Sequence, residues 1–512
     1  MITKRAGRGF YALLVFILIV EPLLAALQPA QPAYAAPQSQ SAAEAAPSGR
    51  GQVVISGPMG VYLNTYNGNL YYSRTDMQFP GCGAGLDLTF AYNSFQANWA
   101  SPFGYGWQFE YSIYYTEDRQ TGDVTLTWGD GHHQRFVHLG DGTYLPPVGS
   151  HDTLRRTQVV PTVKYELVTE DRVTYYFDAA RHQRVTKIVL PNGRAQVFSY
   201  NGEGQLTTIT DAYGRDFQLA YTEGRLTSIT NAEVTPPRVA HYGYDLAGNL
   251  TSVTDPLGNE TRYTYDQNHV LTGITDAAGN TLVIGYGDGQ VIGLSTALTT
   301  QYISYDELAT GNRTTVLELV AGVDVKTVYD YDARGRLIAK TDAAGGVTRQ
   351  TWDANDYLIA VTDPLSRTTV YAYDARGNRN RITDALNQTT VYTYHPTLNV
   401  PVAVTDPRGY TTHYEYDMYG NVTREIDPLG HATAYTYDDC RCHLIAVTDP
   451  LSHTTHYAYD VWGNLSVITD ALGNAMRLTY NAVGDLVAQT DANGNTTHLS
   501  YDALGRLLAS TD

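Results

Sequence analysis

A period of two governs the apolar positions over most of this chain. In Thr261-Arg262-Tyr263-Thr264-Tyr265, the residues Thr261, Tyr263 and Tyr265 share one face, while Arg262 and Thr264 take the other. Thr369, Tyr371 and Tyr373 repeat the pattern, as do Tyr435 and Tyr437. Alternation over five or six residues predicts half-buried strands. A partner segment reads likewise, with Leu337, Ala339 and Thr341 expected on one face. Two strands and the turns between them make a hairpin, and successive hairpins are expected to pair edge to edge into one antiparallel ribbon.

The hairpins recur. From Tyr331 onward the marker tyrosine or its substitute returns at steps of 21 or 22 residues, and counting from Tyr200 gives 15 copies. The repeat signature comprises Tyr244, Asp245 and Gly248; Tyr265 and Asp266; Tyr331, Asp332 and Gly335; and Tyr373, Asp374 and Gly377. It continues with Tyr416, Asp417 and Gly420; Tyr459, Asp460 and Gly463; and Tyr501, Asp502 and Gly505. About ten residues after the tyrosine, most copies show Thr-Asp, often followed by Pro-Leu-Gly, as at Thr254 to Gly258. Each copy thus carries two turn signals. Asp can cap backbone N–H groups, Gly can take positive φ, and Pro presets the second turn position.

Composition agrees with strands. The 512 residues include 42 Tyr, 11 Phe and 46 Gly, with 38 Asp against 14 Glu and 29 Arg against 5 Lys. Scarce Glu and Lys argue against helices. A formal charge of −18 argues against nucleic-acid binding. Three cysteines are too few for a disulfide scaffold.

At the N-terminus, Lys4, Arg5 and Arg8 precede an apolar run from Phe10 to Val20, and Ala33-Tyr34-Ala35 has the form of a signal-peptidase site. Residues 1–36 therefore read as a signal peptide. The lesser alternative, a retained membrane anchor, meets an apolar run of about 11 residues where about 20 are needed. Residues 37–50, made mostly of Ala, Pro, Ser and Gln, read as a linker.

Tyr-Asp-x-x-Gly-[Asn/Arg]-Leu alternating with Thr-Asp-Pro-x-Gly at this spacing resembles the RHS/YD-repeat family. Gly68 to Tyr71, Tyr92-Asn93-Ser94 and Pro102 to Trp107 resemble the domain that precedes the repeats in such proteins. The implied fold is all-β. An N-terminal β domain covers 51–160, a transitional β segment 161–199, and about 15 repeats 200–512, as a spiralling hairpin ribbon that is part of an RHS shell. The resemblance also implies an exported or cell-surface scaffold with no catalysis of its own, serving toxin delivery or intercellular contact. Implied partners are a toxin or cargo domain encoded downstream or separately, surface glycans, or a neighbouring-cell receptor. The alternative is a carbohydrate-binding adhesin. The family's core motif and variable domain do not follow the repeats here, so a longer gene or a split assembly is expected. About 30 strands at ~4.8 Å make a ribbon of ~145 Å, against ~200 Å for one turn of a shell ~65 Å across. The chain is therefore expected not to enclose a cargo alone, and its open edge to favour self-association.

No catalytic signature or cofactor motif is found. Cys440-Arg441-Cys442-His443 lacks common zinc spacing and is read as a variant turn, with Cys82 far away in sequence. His132-His133 is read as a solvated turn pair, since adjacent strand residues point apart. Asp491-x-Asn493-x-Asn495 imitates a calcium loop but has Thr496 where Gly is required, so it is read as a repeat turn. Gly285 to Gly289 reads as a turn too. The Tyr ladder is read as packing material, with sugar stacking as the rival if it faces solvent.

Overall fold

A computed structural model describes residues 52–79, 85–147, 150–158, 163–191, 193–231, 237–320, 322–438, 443–481, 485–501 and 507–511. The signal and linker readings, Cys82, Cys440, Cys442, Asp502 and Gly505 lie outside the described residues. Among those described, the fold is all-β apart from three short 3-10 turns.

Two sheets carry it. Val54–Ser56, Val61–Asn64, Leu70–Phe79, Leu86–Asn93 and Trp107–Phe109 form a five-stranded antiparallel sheet in that order. From Tyr114 onward, each strand pairs with its successor in a second sheet. Its first eight strands, Tyr114–Glu117 to Arg184–Val189, close into a ring through Tyr114 opposite Arg184. There the Tyr115 N–H donates to Gln183 O at 3.1 Å and the Val185 N–H to Ile113 O at 3.0 Å. Eight strands leave room only for side chains. Tyr115, Leu126, Phe136, Leu154, Tyr165 and Phe177, all buried, supply them.

Thirty strands, Ala195–Tyr200 to Leu507–Thr511, continue as one ribbon. In copy after copy the register shifts just before the marker tyrosine, as between Gly243 and Tyr244, Thr264 and Tyr265, and Ala372 and Tyr373. The extra residue lies in the second strand, as Thr251, Thr272 and Asn380, and the residues after it turn onto the other face. Tyr331 opposes Leu337 and Tyr329 opposes Lys340, whereas Ala339 opposes Asp330. The expected grouping of Leu337 with Ala339 and Thr341 is therefore corrected, because Lys340 takes the inward slot.

The bulge also explains why the marker is Tyr. Leu250–Thr254 pairs with the following strand only from Ser252 onward, so the Leu250 carbonyl has no ladder partner on that side. The Tyr265 hydroxyl, fifteen residues later, donates to it at 2.8 Å. The same bond joins Tyr200 to Val185, Tyr373 to Leu358, Tyr416 to Pro401 and Tyr459 to Leu444 at 2.6–3.0 Å. Where Trp352 replaces the tyrosine, its indole N–H reaches Leu337 O at 2.7 Å. Tyr416→Phe is expected to lower stability by about 1 kcal/mol, the usual net value of such a bond. A shift in the urea midpoint at constant slope checks this, and an unchanged midpoint would mean that water replaces the hydroxyl.

The ribbon curls back on itself. The Arg172 guanidinium donates to Met418 O at 2.9 Å, the Tyr213 hydroxyl lies 3.4 Å from His443 Nε2, and Arg215 sits over the Trp462 ring at 5.4 Å. From the turn holding Arg172 to that holding Met418 is 23 strands, or about 110 Å of ribbon at ~4.8 Å per strand. The coil is thus tighter than the ~200 Å expected for a wide shell, and its first part is not hollow, because the five-stranded sheet fills it.

Candidate functional site: the inner face of the ribbon

The five-stranded sheet packs on the face that carries the marker tyrosines. Trp107 stands edge-on to Tyr263 at 5.1 Å and donates from its indole N–H to the Tyr265 hydroxyl at 2.8 Å. The Tyr92 hydroxyl accepts from the Leu271 N–H at 2.9 Å, and Tyr105 stacks on His269 at 3.6 Å. Thr65 bonds the Tyr331 hydroxyl and, through its carbonyl, Thr314. Arg74 and Asp76 form a buried ion pair, their side chains 12% and 2% exposed. Tyr242 donates to Asp76 at 2.6 Å, while Arg74 donates to the Tyr263 hydroxyl at 2.9 Å. Burial pushes the Asp76 carboxyl above its ordinary range, against the pull of Arg74 and the Tyr242 hydroxyl.

This contact ends near Leu337. Up to there the inward positions Tyr263, Ile274, Leu282, Leu294, Ile303 and Tyr329 are buried. Beyond it the same register positions, Tyr371, Tyr392, Tyr414 and Tyr457, are only half-buried, until Leu478 and Leu499 in the last copies, which are buried together with Leu486. The inward second-strand slot, Val253 or Ile274 in the covered part, becomes Lys340, Glu425 and Gln489 in three later copies. Glu425 accepts from the Tyr435 hydroxyl at 3.2 Å. One continuous face is therefore covered along its first half, open from about Leu337 to Tyr457, and buried again in a small cluster of Leu478, Leu486 and Leu499.

The turns hold the edges of this wall. Asp245 accepts from the Asn249 N–H and from its side-chain amide, both at 2.8 Å, and Gly248 has φ 93°. Asp374, Asp417 and Asp460 repeat this with Asn378, Asn421 and Asn464, and Asp332 with Arg336. Asp266 caps its turn through the N–H groups of Asn268 and Val270. Gly335, Gly377, Gly420 and Gly463 share the positive φ of Gly248. The role of the Asn or Arg after the glycine was not evident from sequence; its place four residues after the aspartate was the available signal. Asp491 has the same geometry toward Asn493 and Asn495. His132 is not simply solvated, since it stacks on Trp128 at 5.6 Å and contacts Asp130 at 2.6 Å. Among the described residues no group of three or more His, Cys, Asp or Glu could hold a metal.

These capped turns imply acid sensitivity. Side-chain bonds from Arg367, Asn474 and Asn495 hold Asp363, Asp470 and Asp491 below the usual carboxylate range. A depressed native pKa contributes stability above the unfolded value of about 3.9, which is lost as pH falls through the lower native values. Thermal midpoints are expected to drop most steeply below about pH 4. A midpoint flat from pH 5 to 3 would show that the caps titrate without consequence.

Comparison with known sequences and structures fits this geometry. The RHS Repeat family model matches residues 171–216, 244–281, 331–365, 352–389, 398–432, 443–475 and 480–512. The chain belongs to the RHS-repeat family. A domain of unknown function (DUF6531) matches residues 62–136 of this RHS-repeat protein, spanning most of the covering sheet and the first strands of the ring. The tRNA nuclease WapA of Bacillus subtilis (strain 168) is 31% identical over 160 residues, covering 30% of this chain and 6% of WapA. A tRNA3(Ser)-specific nuclease WapA of Bacillus spizizenii matches equally, so the chain spans a small fraction of these relatives. The crystal structure of TcdB2-TccC3 without its hypervariable C-terminal region aligns with 89% of this RHS-repeat chain and 28% of its own, at 14% identity and TM-score 0.50. That likeness shows a shared fold. Among the described residues no helix is long and apolar enough to cross a membrane.

Proposed function

We propose that this RHS-repeat scaffold is exported and non-catalytic, and that it holds a polypeptide passenger against the open inner wall between Leu337 and Tyr457 for toxin delivery or intercellular contact. The observation that carries this reading is the inner face itself, which already packs one polypeptide, the five-stranded sheet, along its first half and continues half-buried at Tyr371, Tyr392, Tyr414 and Tyr457. Residues 1–36 direct export, and the repeat signature from Tyr244 to Tyr501 sets the wall. Domain limits at 51–160, 161–199 and 200–512 describe how the sequence is organised for this task. The adhesin reading gains less support, because the outward positions in two open strands are Val370 and Ala372, and His413 and Glu415, with the rings turned inward.

The test fuses a small protease-labile reporter after Asp512 of the full chain. A passenger held against the wall is expected to survive protease at least ~10-fold longer than the free reporter, since cleavage follows the accessible population. Equal half-lives would sink the proposal. Binding on a glycan array together with equal half-lives would favour the adhesin.

A further inference from the structure

A cleft lies where three parts of the chain meet: the covering sheet, the closing point of the eight-stranded ring, and the first repeats. It is a shallow, open cleft, and about 130 Å3 of it lies within its walls. Its walls are mainly rings, including Trp99, Phe103, Tyr114, Tyr200 and Tyr221. Trp99 is 42% exposed at the rim, which leaves part of its ring free to stack on a ligand.

The polar groups of this cleft divide in two. The Tyr200 hydroxyl is committed to Val185 O at 2.6 Å and the Tyr221 hydroxyl to Leu206 O at 2.9 Å. Gln205 bonds Asn201 and Gly224 O. Arg184 is different. Its Nε is buried and has no hydrogen-bond partner among the described residues, while its guanidinium lies 5.9 Å from the Tyr114 ring centre. A buried N–H of a permanent cation left without an acceptor costs about 1–3 kcal/mol. The backbone at the rim is also unusual. His182 and Gln183 are consecutive non-glycine residues with φ of 56° and 63°. Strain of this kind persists where surrounding structure enforces it, and it clusters at ligand sites. Here the enforcement comes from the pairing of Tyr114 with Arg184, which closes the ring beside them.

We infer that this cleft binds a small ring-bearing carboxylate, with the ring stacked among Trp99 and the tyrosines and the carboxylate on the terminal nitrogens of the Arg184 guanidinium, whose Nε lies enclosed behind them. The rings supply apolar planes, and the one uncommitted guanidinium supplies a charge-assisted donor with the fork geometry that carboxylates match. A neutral sugar or an apolar ring would leave Arg184 unmatched. A ring carboxylate comes from two chemical sources, acidic sugars and aromatic acids.

The experiment titrates the full chain with sodium D-glucuronate, sodium benzoate and D-glucose by calorimetry and tryptophan fluorescence. One or both acids are expected to bind with Kd of about 1 mM or tighter, and glucose at least tenfold more weakly. Which acid binds identifies the source. Arg184→Gln is expected to weaken binding about tenfold or more, the value of a charge-assisted bond. Trp99→Ala, at an exposed position that leaves the fold intact, is expected to weaken it several-fold. Binding of neither acid to the unmodified chain overturns the inference. So does glucose binding as well as the acids, or acid affinity unchanged in Trp99→Ala and in a folded Arg184→Gln.

Discussion

Arg74→Ala is expected to destabilise the protein by about 3–5 kcal/mol, because it leaves the Asp76 carboxylate buried and unpaired. Asp76 is 2% exposed, and what remains to it is the Tyr242 hydroxyl at 2.6 Å. Tyr263 loses its donor at the same time. Removing both charges has a different outcome. Burial already pushes Asp76 above the usual carboxylate range despite its partner, so the pair gains little beyond offsetting its own desolvation. The double replacement Arg74→Met with Asp76→Leu is expected to lie within about 1–2 kcal/mol of the parent, as volume-matched apolar substitutes for buried pairs commonly do. Denaturant midpoints of the three variants decide the matter. If the double variant were as unstable as the single one, the pair would be fixing the docking angle of the covering sheet and not merely satisfying its own charges. The pair joins strand Leu70–Phe79 to two repeats, so undocking of the sheet is the expected form of the damage.

Much of this architecture was legible in the sequence. Tyr-Asp and Thr-Asp turns mark strand ends, and alternation at Thr261, Tyr263 and Tyr265 marks the inward face; both signals are local. What escaped depends on register between strands. The bulge opposite a marker tyrosine inserts a residue into the second strand, Ile338 in the case of Tyr331, so alternation carried along that strand placed Ala339 and Thr341 inward when Lys340 is the residue that points there. The bond from Tyr265 to Leu250 O spans fifteen residues and needs the same bulge to strand the carbonyl. The excess of Tyr over Phe was visible, but its reason lay in that register. Coil size was misjudged because curvature accumulates over many strands and no single repeat states it. Burial of the covering sheet was likewise hidden. Nothing in Trp107 or Tyr92 announces that their partners lie some 160 to 180 residues downstream.

Tyr263→Ala and Tyr371→Ala provide the second large test, since both residues occupy the same inward slot of the repeat. Tyr263 is 3% exposed, flanked by Tyr72 at 6.1 Å and Trp107 at 5.1 Å, and bonded to Arg74. Its truncation opens a cavity among groups that cannot close on it, and about 3–5 kcal/mol is expected. Tyr371 meets Ile382 across the ladder, is only half-buried, and has the mobile end of one side chain, the Arg379 guanidinium 5.3 Å from its ring centre, beside it. Its loss removes partial burial without trapping a void, and about 1 kcal/mol is expected. Hydrogen exchange measured by peptide localises each effect. Tyr263→Ala is expected to deprotect strands of both sheets, and Tyr371→Ala only its two neighbouring hairpins, because stability in a ribbon of repeats passes between nearest neighbours. Equal costs would mean that the open half is covered in solution, and a covered wall at Tyr371 would place a second copy of the chain or another polypeptide where the passenger is proposed to sit. Adding the purified chain at increasing concentration separates those two outcomes, since only self-covering makes the Tyr371 effect grow with concentration.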